Sequence, residues 1–130
     1  MLPIEIARSE KRVIDAADQI ILELLVDDNL FWFDGHFSHQ PILPGVAQLD
    51  WVMHYGTEIL VPQGYRFSAI ENVKFQRPVQ PNNRLRLTLR WCAFKQQLSF
   101  TFHILDRDED RVASSGKITL IDHVVVTPCP

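Results

Sequence analysis

Apolar and polar residues alternate with a period of two through much of the second half of the chain. Leu85, Leu87, Leu89 and Trp91 fall on one side, with Arg84, Arg86, Thr88 and Arg90 on the other. This is the pattern of a half-buried strand. Leu98, Phe100, Phe102 and Ile104 repeat it against Ser99, Thr101 and His103, and Phe67 to Phe75 and Arg111 to Ile121 complete a set of four. Pro81-Asn82-Asn83, Lys95-Gln96-Gln97 and the stretch from Asp106 to Asp110 supply the turns between them. Upstream, the apolar run Ile20 to Val26, closed by Asp27-Asp28-Asn29, predicts a strand ended by a turn. Leu30-Phe31-Trp32-Phe33 predicts a second, short aromatic strand. The first eighteen residues are charged and too weakly patterned to select an element.

From Gly45 to about Leu60 the period changes. Val46, Leu49, Met53, Gly56 and Leu60 recur at intervals of three and four and mark one face of a helix. Trp51, Val52, Tyr55 and Ile59 put large apolar groups elsewhere on it. A helix apolar nearly all round is expected to be buried, and Pro62-Gln63-Gly64 ends it. The predicted order is two strands, one buried helix and four strands. An α+β fold, with a curved antiparallel sheet wrapped around one central helix, accounts for both the order and the helix. Such a sheet leaves an edge strand open, so dimerisation by sheet extension is expected.

Composition narrows the class. At 130 residues there is room for a single compact domain, here taken as 1–130. With 46% hydrophobic and 22% charged residues the balance is that of a soluble globular protein. A net charge of -3 lacks the basic excess of a general nucleic-acid binder. No apolar run approaches a membrane span, and no basic segment followed by an apolar core marks a secretory signal. Cys92 and Cys129 form no disulfide framework, which fits unpaired thiols in a reducing cytoplasm.

The chemistry concentrates in Asp34-Gly35-His36-Phe37, then Pro41-Ile42-Leu43-Pro44-Gly45-Val46, then Asp50. His36 precedes a loop held extended by Pro41 and Pro44, and an imidazole titrates close enough to neutrality to take and return a proton. Asp50 is the odd residue of the helix, among Leu49, Trp51, Val52 and Met53. It lies beyond the first turn, where the helix dipole no longer accounts for an acid. Burial among those neighbours would favour its protonated form, as a general acid requires. Gly45 opens the helix, where unpaired N–H groups can hold a carbonyl oxygen or an oxyanion. His54, four residues after Asp50, is on the same helical face and a candidate to tune the acid. His36, His39, His54 and Asp50 lack the spacing of a metal site, and no metal is expected. Lys74, Arg77, Arg84, Arg86 and Arg90 form the one basic concentration. They are either a solvated sheet face or a docking surface for an acidic partner.

From about Leu30 to Ile121 these residues resemble the β-hydroxyacyl-acyl-carrier-protein dehydratases of the hotdog fold. The resemblance is carried by Gly35-His36-Phe37, the segment Pro41 to Val46, Asp50, and Lys74-Phe75-Gln76-Arg77-Pro78-Val79 with Pro81. It implies that His36 and Asp50, fourteen residues apart, form a catalytic dyad across a dimer interface, with the Gly45 amide on the thioester carbonyl. The aspartate is similar to the branch that also isomerises, and Val46 to the elongation-type branch. The run from Pro41 to Trp51 is most similar to dehydratases associated with aryl polyene biosynthesis. Ser38 departs from the family's usual proline, and His54 from its usual glutamine.

The resemblance further implies a cytoplasmic enzyme whose substrate rides on the phosphopantetheine of an acyl carrier protein, with no metal or organic cofactor. The assembly would be a homodimer, a dimer of dimers, or a heterodimer with a related dehydratase. Lys74, Arg77 and Arg84 are candidates for carrier-protein docking. Phe31, Phe33, Trp51 and Phe67 are candidates for an acyl tunnel or equally for ordinary core. A hotdog thioesterase and a catalytically silent acyl-binding module remain as alternatives.

Overall fold

The alternation along the chain becomes pairing in space. The computed structural model of the protein describes residues 1–29 and 41–122. In chain order the elements are β1 (Ile4–Arg8), β2 (Arg12–Ile14), β3 (Ala17–Leu25), α1 (Gly45–Ile59), β4 (Tyr65–Phe75), β5 (Arg84–Cys92), β6 (Gln97–Leu105) and β7 (Asp110–Asp122). The four strands expected after the helix are therefore present, each extended by a residue or two. The aromatic strand expected at Leu30 to Phe33 lies outside the described residues. The strands form one antiparallel sheet in the order β1-β3-β5-β6-β7-β4, with β2 also paired to β3. This is the hotdog architecture: one helix against the inner face of one sheet.

The inner face is the core. Leu22 and Leu24 of β3, Leu85, Leu87 and Leu89 of β5, Phe102 of β6 and Leu120 of β7 have no exposed surface. Each such side chain contributes about 1.5–3 kcal/mol on burial. Their partners on the outer face are Arg86, Thr88, Thr101 and His103, and the period of two keeps the faces distinct. Against this face α1 buries Ala47, Gln48, Trp51, Val52, Tyr55 and Gly56.

The helix differs from its expected all-round burial. Val46 is 65% exposed, and Leu49 and Met53 are only partly buried. Val46, Leu49 and Met53, which recur at intervals of three and four, flank the face that packs on the sheet. A sheet packs against one side of a helix only, so among the described residues the other side stays open.

The first eighteen residues pair along the edge of β3. Ile4–Arg8 pairs with Leu22–Leu25 and Arg12–Ile14 with Ala17–Gln19. Ser9 bridges the two by its backbone N–H to the Ile21 carbonyl at 2.8 Å, and its hydroxyl accepts from the Ile21 N–H at 3.0 Å. Asp15 and Ala16, with φ of 51° and 64°, make the two-residue turn into β3, the left-handed pair that such hairpins require. At the helix, Arg8 bonds Glu5 at 2.8 Å and Glu58 at 3.3 Å. Its guanidinium holds the Glu5 carboxyl below the ordinary carboxylate range.

Among the described residues the other edge is β4, bonded on one side only, to β7. Phe67 and Ile70 pair with Leu120 and Ile118 of the inner face, yet are 49% and 46% exposed. Between Glu71 and Lys74 the register shifts, and Asn72 takes a φ of 52°. Such a bulge bends the strand. It drives Val73 onto Gly116 of β7, where an added Cβ would meet Val73 Cγ2 at 2.6 Å and its Cα at 3.0 Å. Gly116→Ala is therefore expected to cost about 1–3 kcal/mol through overpacking. Urea denaturation checks this; an unchanged midpoint would refute the claim that the bulge needs a bare Gly116.

Candidate active site

The start of α1 is held in place by backbone. The Leu43 N–H bonds the Val79 carbonyl at 2.7 Å, fixing the proline-flanked entry against the segment after β4. That segment is tied in turn to β7, where the Gln76 and Arg77 N–H groups share the Ala113 carbonyl at 2.7 and 3.1 Å. Pro44 caps the helix with extended backbone and no side-chain bond, and the first turn holds no acidic residue. Its carbonyl accepts from Ala47 and Gln48 at 3.1 and 3.3 Å. The Gly45 and Val46 N–H groups, a turn earlier, are the ends a helix cannot satisfy internally.

A pocket of about 240 Å³ opens at this point, lined among others by Pro44, Gly45, Gln48, Phe75 and Arg77. Gly45 is needed for a close approach: an added Cβ would stand 2.6 Å from Phe75 Cζ. The ring of Phe75 thus lies on the helix start and forms an apolar wall beside the free amides.

One polar residue of this pocket was not legible as functional from the sequence. Gln48 is 3% exposed, and its Oε1 accepts a 2.7 Å bond from the hydroxyl of the fully buried Ser114. The available signal was its place four residues after Pro44, on the same side as Trp51, Val52 and Tyr55.

Asp50 lies two residues on, about 200° further round the helix, and is exposed rather than buried. Its own chain leaves it on the open side. His36 of the expected dyad lies outside the described residues, as do Phe31, Phe33 and His39. His54, expected to serve Asp50, instead faces Glu58 one turn on, with Nε2 3.3 Å from the carboxylate.

The remaining candidates separate. Trp51 has no exposed surface, and its indole N–H donates to the Met1 carbonyl at 2.8 Å. It is a core residue tied to the N-terminal segment, the second of the two readings its sequence position allows. Phe67 is half-exposed at the β4 edge. The basic set also divides. Arg84 pairs with Glu23, Arg86 with Asp110 at 2.7 Å, and Arg90 with the Ile14 carbonyl at 3.0 Å. Arg77 bonds the Val112 carbonyl at 2.8 Å through one nitrogen and lines the pocket. Lys74, three residues earlier, is exposed on β4. Among the described residues no three His, Cys, Asp or Glu side chains come together, and no helix is long and apolar enough to cross a membrane.

Comparison with known proteins places this geometry. The family model described as ApeI-like, ApeI dehydratase, matches residues 11–117. That span runs from β2 into β7 and includes the His36 and Asp50 motifs. The chain belongs to the ApeI-like dehydratase family. A solved structure of an uncharacterized protein from Erwinia carotovora subsp. atroseptica is 54% identical, with a TM-score of 0.88, covering 94% of this chain and 98% of that one. The dehydratase heterocomplex ApeI:P from Xenorhabdus doucetiae matches at 47% identity and a TM-score of 0.78, covering 92% and 98%. Among curated relatives, the 3-hydroxyacyl-acyl-carrier-protein dehydratase FabZ of Variovorax paradoxus (strain S110) is 37% identical over 77 residues, covering 52% of this chain and 51% of that protein. The chain spans about half the length of the curated relatives it matches.

In this ApeI-like chain the Gln48–Ser114 bond is sealed between helix and sheet. Ser114→Ala removes the donor and leaves a carboxamide oxygen unpaired in the interior, which is expected to cost about 1–3 kcal/mol. Replacing both partners, as in Ser114→Ala with Gln48→Leu, should recover most of that loss. Denaturation of the two variants measures it, and equal destabilisation by both would show that the bond has no such role.

Proposed function

We propose that the protein dehydrates a 3-hydroxyacyl thioester on acyl carrier protein to the trans-2-enoyl thioester, in fatty acid or aryl polyene type biosynthesis in the cytoplasm. The observation that carries the reading is the disposition of α1. Gly45 opens a pocket on one side, and Asp50, fourteen residues after the His36 of the motif, stands exposed on another. A dyad shared between two subunits needs this arrangement, with each chain lending its acid to the other's pocket.

His36 withdraws the proton from Cα, and the electron pair moves toward the thioester carbonyl, whose oxygen the Gly45 N–H holds. Asp50 of the second subunit gives its proton to the β-hydroxyl. The C–O bond breaks, water leaves and the double bond forms between Cα and Cβ. Return of one proton from the imidazolium to the carboxylate resets the pair. Every step is proton transfer or oxyanion stabilisation, so the chemistry calls for no metal or organic cofactor.

The open β4 edge, with Phe67 and Ile70 beside it, supports assembly by sheet extension. A related dehydratase is a possible second subunit in place of another copy, a reading favoured by the heterocomplex among the structural relatives. Arg77, which lines the pocket, and Lys74, exposed on β4, are the docking residues proposed for the acidic carrier protein. Arg84, paired with Glu23, contributes less.

His36→Ala and Asp50→Asn should each lower enoyl formation by about 10²–10⁴-fold, read from the ultraviolet absorbance of the new double bond, with assembly unchanged. Full activity in either variant would sink the dyad, and release of free thiol without enoyl product would make the protein a thioesterase. Ile70→Lys should shift the protein toward monomer in size-exclusion chromatography with light scattering. A variant that keeps the wild-type mass would exclude β4 from the interface.

A further inference from the structure

The pocket at the helix start contains one polar side chain that the dyad does not use. Gln48 lines it together with Gly45 and Phe75 and is 3% exposed. The Ser114 hydroxyl donates to its Oε1 at 2.7 Å, which fixes the orientation of the amide. The oxygen is turned to the sheet, and Nε2, which can only donate, is left over. Among the described residues, the side-chain nitrogens sealed from solvent without a partner are Trp91 Nε1 and His103 Nδ1. Gln48 Nε2 is not one of them, and it has no protein acceptor among the described residues. Gln48 itself lines the pocket, and a pocket-bound oxygen is the acceptor this nitrogen lacks among the described residues.

We infer that Gln48 is a substrate-positioning residue whose Nε2 donates to the thioester carbonyl oxygen alongside the Gly45 N–H. The inference rests on the dehydratase reading above. Gln48 is one turn into the helix from Gly45, so the two donors share a face. Loss of the Cα proton puts negative charge on that oxygen, and a donor already oriented there stabilises the charge without reorganising. An amide suits the place because it does not titrate and so cannot compete with the dyad for protons. The Phe75 ring on Gly45 gives the neighbouring side an apolar wall.

The test uses the assembled full-length protein, a 3-hydroxyacyl thioester labelled with ¹³C at the carbonyl, and the variants Gln48→Leu and Ser114→Ala. In an Asp50→Asn background, which holds the thioester without consuming it, the bound carbonyl infrared band should lie below its position in water. Gln48→Leu added to that background should move the band back up. With Asp50 intact, Gln48→Leu should lower kcat by about 10²–10³-fold, as loss of one oxyanion donor does, with KM much less affected. Ser114→Ala, which keeps the amide but frees its orientation, should change both readouts in the same direction and less far. Thermal melts check that each variant is folded. An unmoved band, or a folded Gln48→Leu that keeps the wild-type kcat, overturns the assignment and leaves the dyad standing. Wild-type protein that forms no enoyl product overturns both.

Discussion

The packing of one side of α1 onto the leucine face of the sheet is the interaction on which the rest of the structure depends. Trp51, Val52 and Tyr55 enter the inner face, and Ala47 and Gly56 let the helix approach it. With a single helix for seven strands, that contact is the core of the described chain. It also decides the angular position of every other residue on the helix. Gln48 is carried inward to Ser114, and Asp50 is carried out to the open side. The chemistry is therefore distributed by the packing, at about 100° per residue.

The helix start is fixed by a different set of constraints, and these converge from β4. The bulge at Asn72 interrupts the register of β4 with β7 before Lys74 and Phe75. Register in a sheet is a matter of which face each side chain takes, so one extra residue changes the face of those that follow. Past the bulge, Phe75 pairs with Ser114, on the same side as Gln48, and its ring reaches Gly45. Gly116 absorbs the displaced Val73 at one end and Gly45 admits Phe75 at the other. The two bare positions make a single accommodation, in which a strand is bent so that an aromatic ring meets the helix N-terminus.

These features were unequally visible in the sequence. The strands β5, β6 and β7 declare themselves because one face is buried, so Leu85, Leu87 and Leu89 must recur every second residue. β1 and β2 do not, because pairing at the edge rather than burial holds them; every residue of Ile4–Arg8 is exposed. Their turn is Asp15-Ala16, without the glycine that usually marks a left-handed pair. The helix was legible in extent but not in orientation. Apolar residues lie nearly all round it, since the open side presents Val46, Leu49 and Met53, so periodicity alone could not choose the face against the sheet. Gln48 was missed for the same reason, and the face assigned from Val46 and Leu49 was displaced. Asp50 stands out in the sequence as the one acid among apolar neighbours, but those neighbours in sequence point in other directions on a helix and do not bury it.

The exposure of Asp50 bears on when its environment is made. A carboxyl poised as a general acid needs removal from water, and placing it inside a folding chain would burden folding with its desolvation. Here the acid stands in solvent, and Phe67 and Ile70 on β4 and Val46 on the helix are exposed apolar groups. Under the proposed reading, association buries Phe67, Ile70 and Val46, and the free energy of that burial offsets the cost of drying Asp50. On that reading the acid would acquire its low-dielectric surroundings in the same step that brings it to the histidine of the other subunit. Folding and the making of the active site would then be separate events, the second coupled to assembly. A monomer would be a folded protein with an ordinary surface aspartate.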